Sequence, residues 1–251
     1  MIPLKTPAEL AKMAKACQIT ADILAEVGKM VSPGISSLEL NRQAEQLCSD
    51  AGVKPAFKGY MGFPFALCCS LNQQVVHGFA TEQPLEEGDI LSLDFGVQVD
   101  GYFGDTAVTY AVGAVSDETR RLMDVTKASL MAGIEILKPG IRLGDVSATI
   151  QQTAEAAGFS VVRQFVGHGI GRNLHEEPSI PNFGVKGRGV KLKAGMVLAI
   201  EPMINAGGPE VKILSDGWTA VTMDGKLSAH FEHTVAVTPD GYKILTLPYA
   251  S

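Results

Sequence analysis

The sequence has few cysteines and no long apolar run, and these absences exclude several classes of protein. Its 251 residues include four cysteines and a single tryptophan. Because Cys68 and Cys69 are adjacent, the four form neither a disulfide framework for a chain of this size nor a Cys-x-x-Cys zinc site. We expect all four to be reduced and buried as small apolar side chains. No window approaches eighteen apolar residues, so no membrane-spanning helix is expected.

Basic clusters and targeting signals are also missing. The net charge is −6 at pH 7, and no run of Lys and Arg is long enough to favour nucleic acid or an anionic membrane as partner. The start, Met1 to Pro7, lacks an apolar stretch followed by a small-residue cleavage site. With 46% hydrophobic and 19% charged residues, the composition is typical of a globular protein. We expect a cytoplasmic protein that acts on small molecules or peptides.

Capping signals mark the helices of the first half. Thr6-Pro7-Ala8-Glu9 has the form of a capping box and predicts a helix to about Val31. Ser36-Ser37-Leu38-Glu39 predicts a second helix, which should end at Ala51-Gly52, because glycine adopts the left-handed cap readily. A third helix is expected from about Asp117 to Leu137.

A β-hairpin is predicted in the middle of the chain. Two strand-like segments, 90–97 and 102–112, flank the turn dipeptide Asp100-Gly101. If the turn is tight, Asp94 faces Ala107, and Asp105 lies on the same face as Asp94 and diagonal to it. A single bulge would shift the register by one residue and separate the two carboxylates.

The second half carries the same kinds of signal. A helix should end at Ala157-Gly158, followed by a strand into His168. We expect a loop from Pro178 through Pro181. A further strand, Met196 to Ile200, should place Glu201 at its end.

Short segments of the first half return in the second. Pro33-Gly34-Ile35 returns as Pro139-Gly140-Ile141 at an offset of 106 residues. At an offset of 107, the segment 85–91 aligns with 192–198. Several matches in order at nearly one offset indicate an internal repeat.

The repeat predicts one domain made of two related halves. At the second offset Asp94 aligns with Glu201, so each half would contribute a carboxylate carried by a strand. We infer a single catalytic domain over 1–251, with αβ halves of about 1–112 and 113–251 related by a pseudo-two-fold axis.

Acidic residues within apolar strands suggest a metal centre. Asp94, Glu201 and Glu232 each follow apolar residues, and a buried carboxylate needs a cation or a hydrogen-bond network. Arg and Lys are scarce in these segments. With Asp105 and the glycine-flanked His168, the set has four carboxylates and one imidazole, which suits two divalent ions. Oxygen-rich ligation favours manganese, iron or cobalt over a thiolate zinc site.

The motifs together resemble those of a known enzyme family. Between Thr6 and about Thr246 the chain is similar to the type I methionine aminopeptidases of bacterial type, through Gly167-His168-Gly169-Ile170-Gly171, Asp94 with Asp105, Glu201-Pro202-Met203 and Phe231-Glu232-His233-Thr234. The resemblance implies the α/β pita-bread fold of the creatinase and aminopeptidase group, with a central antiparallel sheet covered by helices. It also implies ligand roles: Asp94 binds one ion, Asp105 and Glu232 bridge both, and His168 and Glu201 complete the second.

The resemblance further implies a reaction and a substrate site. The reaction is removal of the initiator methionine when the second residue is small, by a hydroxide that two metal ions activate, with Glu201 as proton shuttle. His77 would contact the scissile amide nitrogen and His175 the carbonyl oxygen. From the residues alone, His77 fits better as a structural histidine at a strand end. The implied methionine pocket consists of Tyr60, Phe63, Cys68, Leu174 and Trp218, for which ordinary core packing is the alternative.

Some positions depart from the family pattern. Leu174 stands where relatives often carry an aromatic residue. His230 occupies a position that we associate with glutamine in this family. On an alternating strand it would share a face with Glu232, so it is placed to perturb the groups behind the ligands. His233 should point the other way and be structural.

Two other functions stay open on the sequence. A prolidase or aminopeptidase P is the enzymatic alternative, although Glu201-Pro202-Met203 differs from the Glu-Pro-Gly of those enzymes and their large N-terminal domain is absent. A metal-free binding protein on the same fold is the other. The resemblance implies peptides and nascent chains that begin with Met as substrates, contact with the ribosome, and a monomer.

Overall fold

The computed structural model describes residues 2–249. Among these residues, the α-helices are α1 (Pro7–Gly28), α2 (Ser37–Asp50), α3 (Asp117–Glu135) and α4 (Leu143–Ala156), with a short 3₁₀ turn at Tyr60–Gly62. No helix in this range has the length and apolar character needed to cross a lipid bilayer. The strands are β1 (Lys54–Pro55), β2 (Leu67–Leu71), β3 (Gln74–Val76), β4 (Ile90–Val99), β5 (Tyr102–Ala111), β6 (Ser160–Val161), β7 (Gly167–Gly169), β8 (Glu176–Ile180), β9 (Val197–Ile200), β10 (Met203–Asn205), β11 (Val211–Ile213), β12 (Ala220–Thr222), β13 (Ser228–His230), β14 (Glu232–Thr238) and β15 (Gly241–Ile244).

Both predicted capping boxes are present. The Thr6 hydroxyl accepts a hydrogen bond from the Glu9 amide, and the Glu9 carboxylate accepts one from the Thr6 amide. Ser36 and Glu39 repeat this arrangement at α2. The first helix ends earlier than the predicted Val31, because the amide of Val31 bonds three residues back to Gly28, which tightens the last turn.

A nine-stranded antiparallel sheet forms the centre of the described chain. Its main path runs β1-β4-β5-β14-β9-β7-β8, with β2 paired to β4 and β15 paired to β14. One apolar cluster joins α1 and α2 to β2 and β4, and a second joins α3 and α4 to β9 and β14. The expected antiparallel sheet covered by helices is therefore confirmed.

The predicted hairpin register is also confirmed. Strands β4 and β5 pair without interruption from Ile90 with Ala111 to Val99 with Tyr102, and Asp94 faces Ala107. Both turn residues, Asp100-Gly101, have positive φ, as a primed two-residue turn requires. Because no bulge interrupts the pairing, Asp94 and Asp105 stay on one face of the sheet.

The prediction of a loop from Pro178 through Pro181 was wrong for the first part of this segment. Residues Glu176–Ile180 form β8, which pairs with β7 and lies at the edge of the sheet. An edge strand tolerates proline, because one side of its backbone has no neighbouring strand to accept a hydrogen bond from the missing N–H. Pro178 is therefore compatible with a strand at this position, and Pro181 follows the end of that strand.

All four cysteines are buried and unpaired, as predicted. Burial raises the pKa of the Cys48 thiol to about 11. Burial raises the pKa of the Cys68 thiol well above its usual range, and the nearby carboxylate of Asp94 adds to this effect. These thiols are therefore protonated at neutral pH and pack as apolar groups.

Close packing of α1 on β5 predicts a stability effect at Gly104. A Cβ at this position would lie 2.7 Å from the backbone N and Cα of Cys17, and helix backbone has no room to move aside. We expect Gly104→Ala to lower the free energy of unfolding by about 1–3 kcal/mol, the usual cost of overpacking. Urea unfolding measures this change.

Gly208→Ala is the matched control for Gly104→Ala. The nearest atom to its added Cβ is a carboxylate oxygen of Glu210, at 2.7 Å, which is the mobile end of a side chain. A change of less than about 0.5 kcal/mol is expected there, as for most surface substitutions. Equal effects at the two glycines would refute the packing argument.

Candidate metal and substrate site

Strand pairing brings the acidic residues of both halves close together on the central sheet. Asp94 on β4 and Glu232 on β14 both pair with Ala107 on β5. Asp105 lies two residues from Ala107 and therefore on the same face. In the other half His168 pairs with Ala199, which precedes Glu201 by two residues. The carboxylates of distant segments thus converge because the sheet joins the two halves through β5 and β14.

The side chains meet at distances suited to a cation. His168 Nε2 lies 3.8 Å from Asp105 Oδ2 and 3.5 Å from Glu201 Oε1. One ligand atom each from Asp105, His168 and Glu232 lies within 4.8 Å of the other two. Asp94 stands outside this group of three but lines the same cavity.

The hydrogen bond of His168 prepares its ring for metal binding. Its Nδ1 lies 2.9 Å from the carbonyl oxygen of Gly169, which only accepts hydrogen bonds, so Nδ1 carries the proton. Burial, with His175 close by, lowers the pKa of His168 to about 3. The ring is therefore neutral at pH 7, and the lone pair of Nε2 faces the carboxylates, as in a histidine ligand.

Burial makes the carboxylates difficult to ionise without a cation. It raises the pKa of Asp94 to about 7 and that of Glu201 to about 8. For Asp105, burial and then the charge of Asp94 raise the pKa well above its usual range. For Glu232, burial and then Asp105 have the same effect. Among residues 2–249, no side chain of Lys or Arg lines this cavity.

Unpartnered oxygens show that these residues fit a divalent ion. In the described part of the chain, Oδ1 of Asp94, Oδ1 of Asp105 and Oε1 of Glu232 are buried and accept no hydrogen bond. Such groups are costly in a folded protein unless a cation or a donor meets them. Buried oxygen ligands beside one neutral imidazole are a donor set for a divalent transition metal.

A cavity of about 440 Å³ contains all twelve residues predicted for the site. It also contains two residues that the sequence reasoning missed, Phe57 and Met61. Both lie in the aromatic and glycine-containing segment around Tyr60, which was the available signal. The lining residues are Phe57, Tyr60, Met61, Phe63, Cys68, His77, Asp94, Asp105, His168, Leu174, His175, Glu201, Trp218 and Glu232.

The apolar wall of the cavity lies directly beside the carboxylates. Cys68 on β2 is the cross-strand partner of Asp94. The rings of Phe63 and Trp218 meet edge to face, with centroids 5.1 Å apart. Leu174 is almost fully buried against the same cluster. The cavity therefore has a charged end and an apolar end.

Two histidines flank the charged end. The His175 ring lies 4.2 Å from that of His168, and its Nδ1 is 2.8 Å from the Tyr60 hydroxyl. His77 contacts the edge of Phe165 at 5.4 Å between centroids and has a φ of +59°. A positive φ is uncommon outside glycine and is typical of positions that the surrounding structure holds for a function.

His230 and His233 have different surroundings. His230 is fully buried, and its Nε2 lies 3.6 Å from Glu201 Oε2 without forming a hydrogen bond in the described chain. His233 Nδ1 instead lies 3.0 Å from the Thr246 hydroxyl, outside the cavity lining. His230 therefore lies beside the Glu201 carboxylate, on β13 and not on the strand of Glu232, whereas the surroundings of His233 are those of a structural histidine.

Comparison with known proteins places the chain in a family. The model of metallopeptidase family M24 matches residues 11–239. A methionine aminopeptidase of Clostridium perfringens is 53% identical over 247 residues, covering 98% of this chain and 99% of that protein. The crystal structure of methionine aminopeptidase from Thermotoga maritima has a TM-score of 0.97 at 49% identity, over 98% of this chain and 99% of that one.

More distant structures share the fold alone. The prolidase of Pyrococcus horikoshii has a TM-score of 0.79 at 21% identity, and this chain covers 64% of it. The pita-bread fold predicted from the resemblance is confirmed by these neighbours, and the much higher identity to methionine aminopeptidases disfavours the prolidase alternative. The chain therefore belongs to metallopeptidase family M24 and, within that family, to the methionine aminopeptidases.

Proposed function

We propose that this enzyme removes the N-terminal methionine from peptides and nascent proteins whose second residue is small. The observation that carries the proposal is the two-ended cavity, in which five candidate metal ligands lie beside an apolar wall. Hydrolysis needs the metal ligands, and recognition of a thioether side chain needs the apolar wall.

Five residues would hold two divalent ions, of manganese, iron or cobalt. The carboxylates of Asp94, Asp105, Glu201 and Glu232 and the imidazole of His168 would hold these ions. When bound, such ions would supply a nucleophile at neutral pH and would polarise the scissile carbonyl. The unpartnered oxygens of Asp94, Asp105 and Glu232 support this assignment.

Glu201 would move the proton in the reaction. Its carboxylate lies at the end of β9, and its backbone carbonyl accepts a hydrogen bond from the Asn182 amide, at 3.0 Å. Oε1 is held 3.5 Å from His168 Nε2. A carboxylate at this position would accept a proton from water and deliver it to the departing amine, which is general acid and base catalysis.

The two flanking histidines would bind the scissile peptide. Burial lowers the pKa of His77 to about 4 and also lowers that of His175, so both rings are neutral at pH 7. A neutral imidazole offers one donor and one acceptor. We assign His77 to the scissile nitrogen and His175 to the carbonyl oxygen.

The apolar end of the cavity would accept the methionine side chain. Phe63, Cys68, Leu174 and Trp218 present apolar and polarizable surface, with Tyr60 at the edge. Leu174 is smaller than an aromatic residue, and its buried position in the wall supports its inclusion in the pocket. Aromatic and sulfur groups interact favourably with a thioether.

The setting of the reaction is also a proposal. An initiator methionine is removed from nascent chains, so we propose that the enzyme works in the cytoplasm, close to the ribosome. We also propose that it is a monomer. The net charge of −6 disfavours nucleic acid as a substrate.

The function is tested with three peptides and a chelator. With Mn²⁺ or Co²⁺ we expect rapid cleavage of Met-Gly-Met, slow cleavage of Met-Leu, and none of Ala-Pro; EDTA should abolish the activity. Released amino acids are measured by chromatography. Cleavage of Ala-Pro alone would support the prolidase alternative, and no cleavage together with no metal binding by calorimetry would support the binding protein.

A further inference from the structure

The segment before α1 reaches the loop that carries His175. The Lys5 side chain is only 4% exposed, and its ammonium donates to Glu176 Oε2 at 2.5 Å. The backbone N–H of Lys5 donates to the carbonyl of Gly195 at 2.7 Å, which fixes the segment at this point. A lysine is rarely buried unless a partner meets its charge, so the pair is a specific feature of the fold.

The other oxygen of Glu176 holds the loop itself. Oε1 accepts hydrogen bonds from the backbone amides of Arg172, at 2.8 Å, and Asn173, at 3.2 Å. The carboxylate therefore closes the turn that leads to His175, and Lys5 meets its other oxygen and balances its charge. Bonds from amides to an ionised carboxylate are stronger than those to a neutral acceptor.

Gly171 leaves the space that Lys5 occupies. A Cβ at position 171 would overlap the Lys5 ammonium. The carbonyl of Gly171 also accepts a hydrogen bond from the Phe103 amide at 2.9 Å, so the base of the loop is attached to β5. The backbone, the ammonium and the carboxylate fit together as one unit.

This unit lies next to the residues that face the substrate. His175 is the covalent neighbour of Glu176, and its Nδ1 is 2.8 Å from the Tyr60 hydroxyl. We propose that the buried Lys5–Glu176 pair is a positioning device, through which the N-terminal segment holds the 171–176 loop so that His175 meets the substrate. The proposal rests on the substrate contact assigned above to His175.

The alternative is an ion pair that only stabilises the fold, and a double-mutant cycle separates the two. Lys5→Met removes the charge and keeps most of the apolar stem. We expect it to lower kcat/KM for Met-Gly-Met about 10- to 100-fold, the cost of misplacing a group by about an ångström. In a His175→Ala background the same change should cost less than about twofold, because the positioned group is gone.

Two measurements show that the variants are otherwise intact. Metal affinity by calorimetry should stay within about twofold of wild type, because no proposed ligand belongs to the loop. Lys15→Met is the matched control: Lys15 pairs with Asp100 at 3.0 Å on the exposed face of α1, and its loss should leave kcat/KM unchanged. Circular dichroism at the assay temperature verifies folding.

Each outcome decides between the explanations. Equal losses from Lys5→Met in the two backgrounds would overturn the positioning role while leaving the function of His175 in place. Normal activity of His175→Ala would instead overturn the assigned role of His175. If Lys5→Met does not fold, Glu176→Gln enters the same cycle, since its amide oxygen still accepts from Arg172 and Asn173.

Discussion

Replacing Glu201 by glutamine is expected to lower kcat for Met-Gly-Met by a factor of about 10² to 10⁴, the range for loss of a general acid and base. Glutamine has nearly the same shape and retains one oxygen, but it neither accepts nor releases a proton at neutral pH. The structure places Glu201 Oε1 next to His168 and within the cavity. Steady-state kinetics at saturating Mn²⁺ measure the effect.

The expected loss has two sources, because Glu201 is also a proposed ligand. Calorimetric titration with Mn²⁺ distinguishes them: kcat measured with every site filled reports the proton transfer alone. Glu210→Gln is the matched control, since Glu210 is exposed and its side chain lies outside the cavity lining. Near-normal turnover by the metal-loaded Glu201→Gln enzyme would exclude Glu201 as the proton shuttle.

Local signals in the sequence predicted the part of the site that one hairpin builds. Asp100-Gly101 determined the register of β4 and β5, and this register alone brings Asp94 and Asp105 together. The capping residues predicted helix starts correctly for the same reason, since caps and tight turns depend on neighbours within a few residues.

Local sequence signals could not predict contacts between residues far apart in the chain. The apolar context of Glu232 marked it as a candidate ligand, but its pairing with Ala107 joins segments 125 residues apart and no local pattern predicted it. The Lys5–Glu176 pair spans 171 residues and had no local signal. Phe57 and Met61 line the cavity because of the turn around Tyr60, in which Met61 adopts a positive φ. Methionine does not favour this conformation, so its residue type did not predict the turn.

The internal repeat stays a prediction. The helices α2 and α4 begin 106 residues apart, at Ser37 and Leu143, and each is followed by strands that carry proposed ligands. We propose on this basis that the halves 1–112 and 113–251 are related units of one catalytic domain. Their junction between β5 and β14 is where the ligands of the two halves meet.

The metal-free protein is expected to become less stable as pH rises from 6.5 to 8. The four buried carboxyls have raised pKa values, about 7 for Asp94 and about 8 for Glu201, whereas unfolded carboxyls ionise near 4. In this window the unfolded chain binds fewer protons than the folded one, so the free energy of unfolding falls with pH. Histidines with lowered pKa oppose this while the unfolded imidazoles titrate, near pH 6.5 and up to about one unit above it, but they take up fewer protons there than the four buried carboxyls retain.

A saturating divalent ion should reverse the trend. Metal binds ionised carboxylates, so its affinity rises with pH, and a ligand that binds only the folded state stabilises it by mass action. Urea unfolding of EDTA-treated protein with and without Mn²⁺ measures both slopes. Since one pKa unit corresponds to about 1.4 kcal/mol, the four groups together make the change several kcal/mol.

Asp105→Asn tests the origin of this pH dependence. It removes one buried carboxyl with little change of shape, so at pH 8 the metal-free variant should be more stable than metal-free wild type. The same variant should gain less from Mn²⁺, because it lacks a proposed ligand. Metal-free stability that rises between pH 6.5 and 8, or a variant that gains as much from Mn²⁺ as wild type, would show that these carboxyls are not held together for a cation.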